Sequence, residues 1–498
     1  MAEPSHTLPL ISLLLSMPLG ALLIWILPNR SARTIALGTA IVDLCLAMTI
    51  LLGFDKGQAG FQFVERHDWI PSLNIHYQVG VDGMSVLFLP LTVLLFIGVI
   101  ISSWTSVRTL PRLYYSLLLI LESVTLGIFC ALDTILFFLF WELTLIPIYF
   151  LISLWGVGPN RRYAAVKYTL FMLAGGVPLL FGFLLLAFGH AEQQGAGLPT
   201  TLVFDYLRLL ETPLPPASQG TIFLLLLVGF AVKTPLFPLH TWMPVLTMEG
   251  PASIAALMTG LKLGAFGLIR FAVPLAPDAA RDLHWLLAGL GVVGILYGAV
   301  VALSQTNLRR MLAYSSISHV GLVVLGIASL NLQGVQGALF QLINFTLIAG
   351  GLFLVTGYLH HRIGSTDLVH LGGAVRSMPL LTLFFFLFGL AAMGVPGTSG
   401  FPAELLIILS ALQTHTGAGL AALFGLVVGA AYFLDIYRRA FLGQARGEVI
   451  ASAVDLQRRE LALVSLFALL VLAWGLYPAA ILDFSAGAGA AWAQRLGG

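Results

Sequence analysis

Run after run of about 20 apolar residues, joined by short polar connections, leaves this sequence one kind of fold. An apolar helix of that length crosses a bilayer core of about 30 Å. The chain has 498 residues, of which 59% are hydrophobic and 9% charged. Soluble domains carry about 25% charged residues, and a water-soluble fold would have too little polar surface for this composition. The expected class is an all-α integral membrane protein with about 14 transmembrane helices. They are placed near 8–28, 33–53, 83–103, 113–130, 132–155, 164–188, 220–245, 250–274, 282–303, 306–330, 334–360, 380–411, 418–442 and 459–482. The first run lacks a basic start and a small-residue cleavage site, and is read as a span rather than a signal peptide. The connections near 54–80 and 190–218 are read as extended loops, so 1–498 forms a single membrane domain. Cys45 and Cys130 both lie in apolar runs, which argues against a disulfide framework and a metal site. A net charge of +2 gives no sign of nucleic-acid binding.

Arginine and lysine collect in alternate connections. Arg30, Arg33, Arg108, Arg112, Arg161, Arg162, Lys167, Arg309, Arg310, Arg362, Arg376, Arg438, Arg439, Arg446, Arg458 and Arg459 all follow odd-numbered spans. Basic loops stay in the cytoplasm, which places both termini on the periplasmic side of a bacterial inner membrane.

Two spans are interrupted in the same way. GFAVKTPLFPLHTWMP places Lys233 before Pro235 and Pro238, and GLAAMGVPGTSGFPAELLIIL places Glu404 after Pro396, Gly397, Gly400 and Pro402. Broken helices at corresponding places in two halves are a pointer to a transport site. The broken spans are the seventh and twelfth, five apart. An odd repeat length predicts an inverted second copy. The expected organisation is three N-terminal helices (1–112), a first five-helix repeat (113–274), an inverted repeat (282–442) and a C-terminal helix (443–498). On this reading Lys233 and Glu404 occupy equivalent positions.

Ionisable residues at membrane depth mark functional sites by default. Lys233 lies about 12 residues, or ~18 Å, into its span, where free carbonyls at a half-helix end favour a cation. Glu404 follows its break, where free N–H groups favour an anion. Glu142, in LFFLFWELTLIPIYF, lies ~13 Å deep and requires a cation from another helix. Lys262, in MTGLKLGAFGLIRF, is at similar depth, and Gly260, Gly264 and Gly267 permit close helix approach. The plainer alternative is a structural ion pair for Lys233, a capping carboxylate for Glu404, and a structural role for Glu142 and Lys262. Glu122 and Asp43 are also buried, within reach of a neighbouring hydroxyl. His240 and His319 suit proton relay near neutral pH, against the alternative of satisfied core histidines. Glu249 is read as N-terminal dressing of the eighth span, and Asp435 as a local ion pair with Arg438 and Arg439. The sequence has no P-loop, dinucleotide glycine motif, CxxC or zinc-type histidine cluster. The buried charges suit movement of protons or cations, without redox chemistry.

At these residues the chain resembles the antiporter-like membrane subunits of respiratory complex I, the NADH-quinone oxidoreductase. Among them it looks most like the subunit M (mitochondrial subunit four) branch. The resemblance covers nearly the whole chain. It is carried by GVDGMSVLFLPLT, FWELTLIPIYFLISLWG, RRYAAVKY, VKTPLFPLHTWMP, LKLGAFGLIRF, NLRRMLAYSSISHVG and GVPGTSGFPAE. Glu404, where sister subunits usually have lysine, selects the subunit M branch.

The resemblance implies that Glu142 pairs with Lys233, that Lys233 passes a proton toward Lys262, and that Glu404 is the outlet group. It places His319 on the central polar axis and matches Glu122 to a carboxylate of the fourth span. It implies no cofactor in this chain. NADH, FMN, Fe–S clusters and quinone are expected in partner subunits, with L-, N-, K-, J-, A- and H-like chains as neighbours. Thr247 and Phe345 stand where the family usually has histidine. Phe345 is therefore expected to interrupt the path between His319 and Glu404, unless water or Asn344 fills the gap. The alternatives are a subunit of a multi-subunit cation/proton antiporter, or of a hydrogenase or carbon-uptake complex with a related membrane arm. A spacer without pumping activity is the structural alternative, and four retained buried charges weigh against it.

Overall fold

The computed structural model describes residues 9–195 and 202–497. The expected first residue of span one, Leu8, and residues 196–201 of the second long connection lie outside the described residues. In chain order the helices are α1 (Pro9–Ile26), α2 (Ala32–Gly53), α3 (Phe88–Ser102), α4 (Pro111–Cys130), α5 (Thr134–Leu143), α6 (Leu145–Trp155), α7 (Arg161–Gln193), α8 (Tyr206–Glu211), α9 (Pro216–Lys233), α10 (Trp242–Glu249), α11 (Ala252–Gly260) and α12 (Leu263–Gly267). They continue with α13 (Val273–Leu275), α14 (Pro277–Asp282), α15 (His284–Leu303), α16 (Leu308–Ala328), α17 (Leu332–Asn344), α18 (Gly350–Ile363), α19 (Pro379–Ala392), α20 (Gly400–Thr414), α21 (Thr416–Phe441), α22 (Glu448–Ala451), α23 (Arg458–Leu476) and α24 (Ala479–Arg495). Among the described residues, 12 helices, counted across short breaks, are long and apolar enough to cross a membrane; α3, α19 and α20 are shorter apolar helices. The expected count of about 14 counts α3 as one crossing and the broken pair α19–α20 as another. Large apolar side chains such as Leu170, Val427 and Leu469 face outward, as a lipid-facing surface requires.

The breaks at 233–241 and 392–400 share one construction. Helix α9 ends with Thr234 N–H on Phe230 O and Leu236 N–H on Ala231 O; α19 ends with Met393 N–H on Gly389 O and Val395 N–H on Leu390 O. Both are six-residue closures of the Schellman kind, which use the last free carbonyls of a helix. Gly394, at φ +64°, supplies the left-handed residue and donates to Ala391 O. Pro235 occupies the matching place and has no N–H. The carbonyl it leaves free, that of Val232, accepts from Trp242 Nε1 at 2.9 Å instead. This register corrects the expected equivalence of Lys233 and Glu404. The counterpart of Lys233 is Ala392, and Glu404 is the fifth residue of the following half-helix, just beyond its first turn.

A third break was not expected. The eighth span is interrupted between α11 and α12, with Leu261 at φ −110°, ψ 103° and Lys262 at φ −95°, ψ 61°. No proline marks it. Glycine does, because a Cβ at Gly264 would lie 2.3 Å from Thr234 Oγ1 and 2.6 Å from Phe230 O. The breaks of the seventh and eighth spans therefore touch. The eleventh span carries a π-turn at Phe345–Ala349 beside them, and Thr346 Oγ1 donates to Gly260 O.

Matching backbone bridges recur five spans apart. Thr134 N–H bonds Phe204 O and Tyr206 N–H bonds Leu132 O; later, Leu308 N–H bonds Thr366 O and Leu368 N–H bonds Thr306 O. In each bridge a side chain caps the helix that follows: Asp133 accepts from Ile135 and Leu136 N–H, and Asn307 from Arg309 and Arg310 N–H.

Part of the loop expected near 54–80 is an antiparallel hairpin, β1 (Gln62–Ile70) with β2 (Ile75–Val81). Glu65 on β1 accepts from the Leu10 and Ile11 N–H groups that open α1. Beyond span 14, α24 forms a second C-terminal helix, where one was expected. It lies across other spans, with Trp492 Nε1 donating to Ile269 O and Gln336 Nε2 to Leu482 O.

Candidate functional site: a line of buried proton carriers

Helices α5 and α6 meet at Thr144, three residues before Pro147. A proline lacks the N–H that would close the preceding turn, and the helix is irregular there. Lys233, at the end of α9, fills the irregularity. Its Nζ donates to Trp141 O at 3.2 Å and Thr144 Oγ1 at 2.9 Å, and lies 4.0 Å from the centre of the Trp141 ring. These partners flank Glu142. The expected direct pair is not formed in this conformation: no ion pair within 4.0 Å joins Glu142 to Lys233, and Glu142 Oε1 has no hydrogen-bond partner. The carboxylate lies against Gly176 of α7, where a Cβ would sit 2.2 Å from Oε1.

Lys262 is buried at the third break. Its ammonium meets Met243 Sδ at 3.9 Å and the Phe345 ring at 5.1 Å. Both contacts are soft ones. Phe345 is thus a partner of Lys262, on the side of the axis nearer the eighth span than expected.

His319 of α16 has Nδ1 2.7 Å from Ser315 O and Nε2 2.7 Å from Ala392 O. Ser315 Oγ also lies 3.5 Å from Nδ1, and Glu404 Oε1 lies 3.7 Å from Nε2. Gly394 makes room for it, since a Cβ there would lie 2.1 Å from Glu404 Oε2. The expected interruption between His319 and Glu404 is therefore absent. Phe345 instead separates Lys262 from His319. A cavity of about 30 Å³ lies there, lined in part by Ser315, Ser316, His319, Asn344 and Phe345. A water needs roughly 10–15 Å³ of such volume and two or more polar partners. Ser316 Oγ and Asn344 Oδ1 are buried with no protein partner, so the cavity has space and polar atoms for water.

The other expected residues lie elsewhere. Both ring nitrogens of His240 lack hydrogen-bond partners, and the ring packs among Phe237, Tyr297 and Tyr314. Glu122 is buried in α4 with both oxygens unpartnered, and Asp43 of α2 accepts from Ser16 of α1. Thr247 donates to Pro244 O in its own helix. Glu249 caps a different helix from the one expected: it accepts from Asn160 N–H, at the start of α7. Asp435 pairs with Arg438 and Arg439 as expected.

Sequence reasoning did not single out the buried pair Arg270–Asp82, whose two hydrogen bonds are 2.7 and 2.5 Å. Phe61, Tyr206 and Phe266 surround the guanidinium. Its signal was a charge in each of two apolar motifs, LKLGAFGLIRF and GVDGMSVLFLPLT.

Protonatable side chains held at helix breaks, in the interior of an all-α multi-pass protein, define a membrane ion translocator. Comparison with known proteins agrees. Residues 131–429 match the family model described as NADH:quinone oxidoreductase/Mrp antiporter, transmembrane. The NADH-quinone oxidoreductase subunit M of Rhodobacter capsulatus is 36% identical over 463 residues, covering 91% of this chain and 89% of the relative. The NAD(P)H-quinone oxidoreductase chain 4 3 of Trichormus variabilis is 36% identical over 486 residues, covering 94% and 88%. A chain of respiratory complex I from Thermus thermophilus with bound NADH superposes with TM-score 0.88 at 31% identity, covering 98% of this chain and 100% of that one. A chain of the Mrp complex from Dietzia sp. shares the fold, with TM-score 0.82 at 21% identity over 99% of this chain and 100% of that one. The chain belongs to the NADH:quinone oxidoreductase/Mrp antiporter transmembrane family.

Proposed function

We propose that this chain is a proton-translocating membrane-arm subunit of a complex I-type NADH-quinone oxidoreductase, of the subunit M kind. Its relatives bear that name at 33–36% identity over most of their length. It carries no redox centre in this reading. NADH, FMN, Fe–S clusters and quinone belong to partner subunits, and electron transfer there drives proton movement here.

The observation that carries the mechanism is the Lys233 ammonium, held by Trp141 O and Thr144 Oγ1 on either side of Glu142. When Glu142 swings toward Lys233 the proton is held; when it withdraws, the proton passes by way of Lys262 and the polar cavity to His319 and Glu404. Lys262 has only soft contacts for its charge and so acts as a transfer point. Glu122 and His240 are assigned to supply and side routes. The regions 113–274 and 282–442 are proposed as inverted copies, a reading supported by the bridges at Asp133–Asp205 and Asn307–Asp367. The arginine-rich loops are proposed to face the cytoplasm, which puts the hairpin and α24 on the periplasmic side.

The test is proton flux in vesicles containing the purified complex. This reading expects NADH-driven acidification that is independent of sodium. Sodium-dependent proton exchange without NADH would replace it with the antiporter reading.

A further inference from the structure

We infer that His284 and His415 form a binding site for a divalent transition-metal ion, separate from the proton line. His284 is the first residue of α15, and His415 links α20 to α21. Nδ1 of His284 and Nε2 of His415 are 2.9 Å apart, and the ring centres are 4.7 Å apart with planes at 30°. The two histidines come from segments far apart in sequence, and His415 borders a surface hollow together with Trp285, Gly289 and Thr416. Both are half-buried, so the site is held by the fold yet open to solutes.

Two neutral imidazoles facing each other share one proton, one nitrogen donating and the other accepting. To bind a metal ion through both facing nitrogens, the donating ring exchanges its proton through solvent to its other nitrogen, staying neutral, and both rings turn so that each lone pair meets the ion. An ion with bonds of ~2.0–2.1 Å to two nitrogens at right angles holds them roughly 2.9 Å apart. The observed spacing therefore fits adjacent positions of a tetragonal centre. Tetragonal geometry with nitrogen donors suits Cu²⁺, which is also the tightest binder of the common divalent series. Among the described residues no third His, Cys, Asp or Glu joins the pair into a larger ligand group. Water completes the coordination, which makes the ion exchangeable rather than structural.

The position gives the site a consequence. Helix α20 carries Glu404 near its start, as the fifth residue, and ends at Thr414, next to His415. An ion joining His415 to His284 fastens the far end of that half-helix to α15. A fastened half-helix limits movement of Glu404 against His319. This consequence, unlike metal binding itself, rests on the proposed role of Glu404 in translocation.

The experiment uses the assembled complex in lipid nanodiscs, without a histidine tag, titrated with Cu²⁺. Bound copper is counted after dialysis, and its electron paramagnetic resonance spectrum is recorded. The parent complex is expected to retain one copper ion more than His284→Ala or His415→Ala. That ion should show coupling to two imidazole nitrogens, absent in either variant. His284→Gln and His415→Gln keep a polar side chain and carry the test if an alanine variant fails to assemble. Equal copper content and identical spectra in parent and variants would overturn the site. NADH-driven proton pumping gives a second readout: Cu²⁺ is expected to slow it several-fold more in the parent than in the variants. Specific binding with equal sensitivity would refute the tie to Glu404 and leave the metal site standing.

Discussion

Lys233 and Lys262 carry the same charge on the same stem, yet their ammonium groups meet different surroundings. Lys233 has two oxygen partners from the fifth span; Lys262 has a thioether and an aromatic ring. A hydrogen bond to a charged group contributes about 1.5–3 kcal/mol, so removing Thr144 Oγ1 alters how firmly Lys233 holds its proton. Thr144→Val is expected to slow pumping roughly tenfold, because about 1.4 kcal/mol changes a rate by that factor. Thr144→Ser is expected to retain the parent rate. Measuring proton uptake alongside NADH oxidation separates the two variants, and equal rates would remove Thr144 from the mechanism. At this scale the sequence was informative about which residues matter and less so about their contacts. Four charges in apolar runs were enough to nominate Glu142, Lys233, Lys262 and Glu404. Whether Phe345 lay before or after His319 depended on the packing of three helices, which spacing along one chain does not encode.

Helix breaks place these groups, and the three breaks were unequally visible. Proline and clustered glycine announced those of the seventh and twelfth spans. The break at Lys262 depends on contact between helices, where Gly264 allows Thr234 and Phe230 to approach. A methyl group added there meets backbone as well as side-chain atoms. Overpacking of this kind costs about 1–3 kcal/mol, so Gly264→Ala is expected to lower the thermal midpoint of the subunit and weaken pumping. A stable variant with parent activity would show that the two breaks need not touch. The exact alignment of the broken helices also required structure. Lys233 and Glu404 looked equivalent by spacing, whereas the hydrogen-bond register pairs Lys233 with Ala392, whose carbonyl faces His319.

The whole molecule is fastened outside the proton line by groups that sequence inspection passed over. Arg270 and Asp82 join the eighth span to the segment just before α3. Breaking a buried pair by removing one partner costs about 3–5 kcal/mol. Arg270→Met and Asp82→Leu are each expected to reduce the yield of assembled complex sharply, and the double substitution to restore part of it. Equal loss in all three would argue that the charges act independently. Orientation is open to a separate check. Single cysteines at Ser106 and Gln58 are expected to react with a membrane-impermeant reagent from the cytoplasmic and periplasmic sides respectively; the reverse pattern would invert the topology. The apolar runs made the multi-pass class legible. The hairpin and α24 were missed because the first is short and the second is rich in alanine and glycine rather than strongly apolar. The central claim is that Lys233 is an obligatory proton carrier, and the proton-to-electron ratio of the reconstituted Lys233→Ala complex tests it most directly. The account predicts a clearly lower ratio while NADH oxidation continues; a ratio equal to the parent's would contradict it.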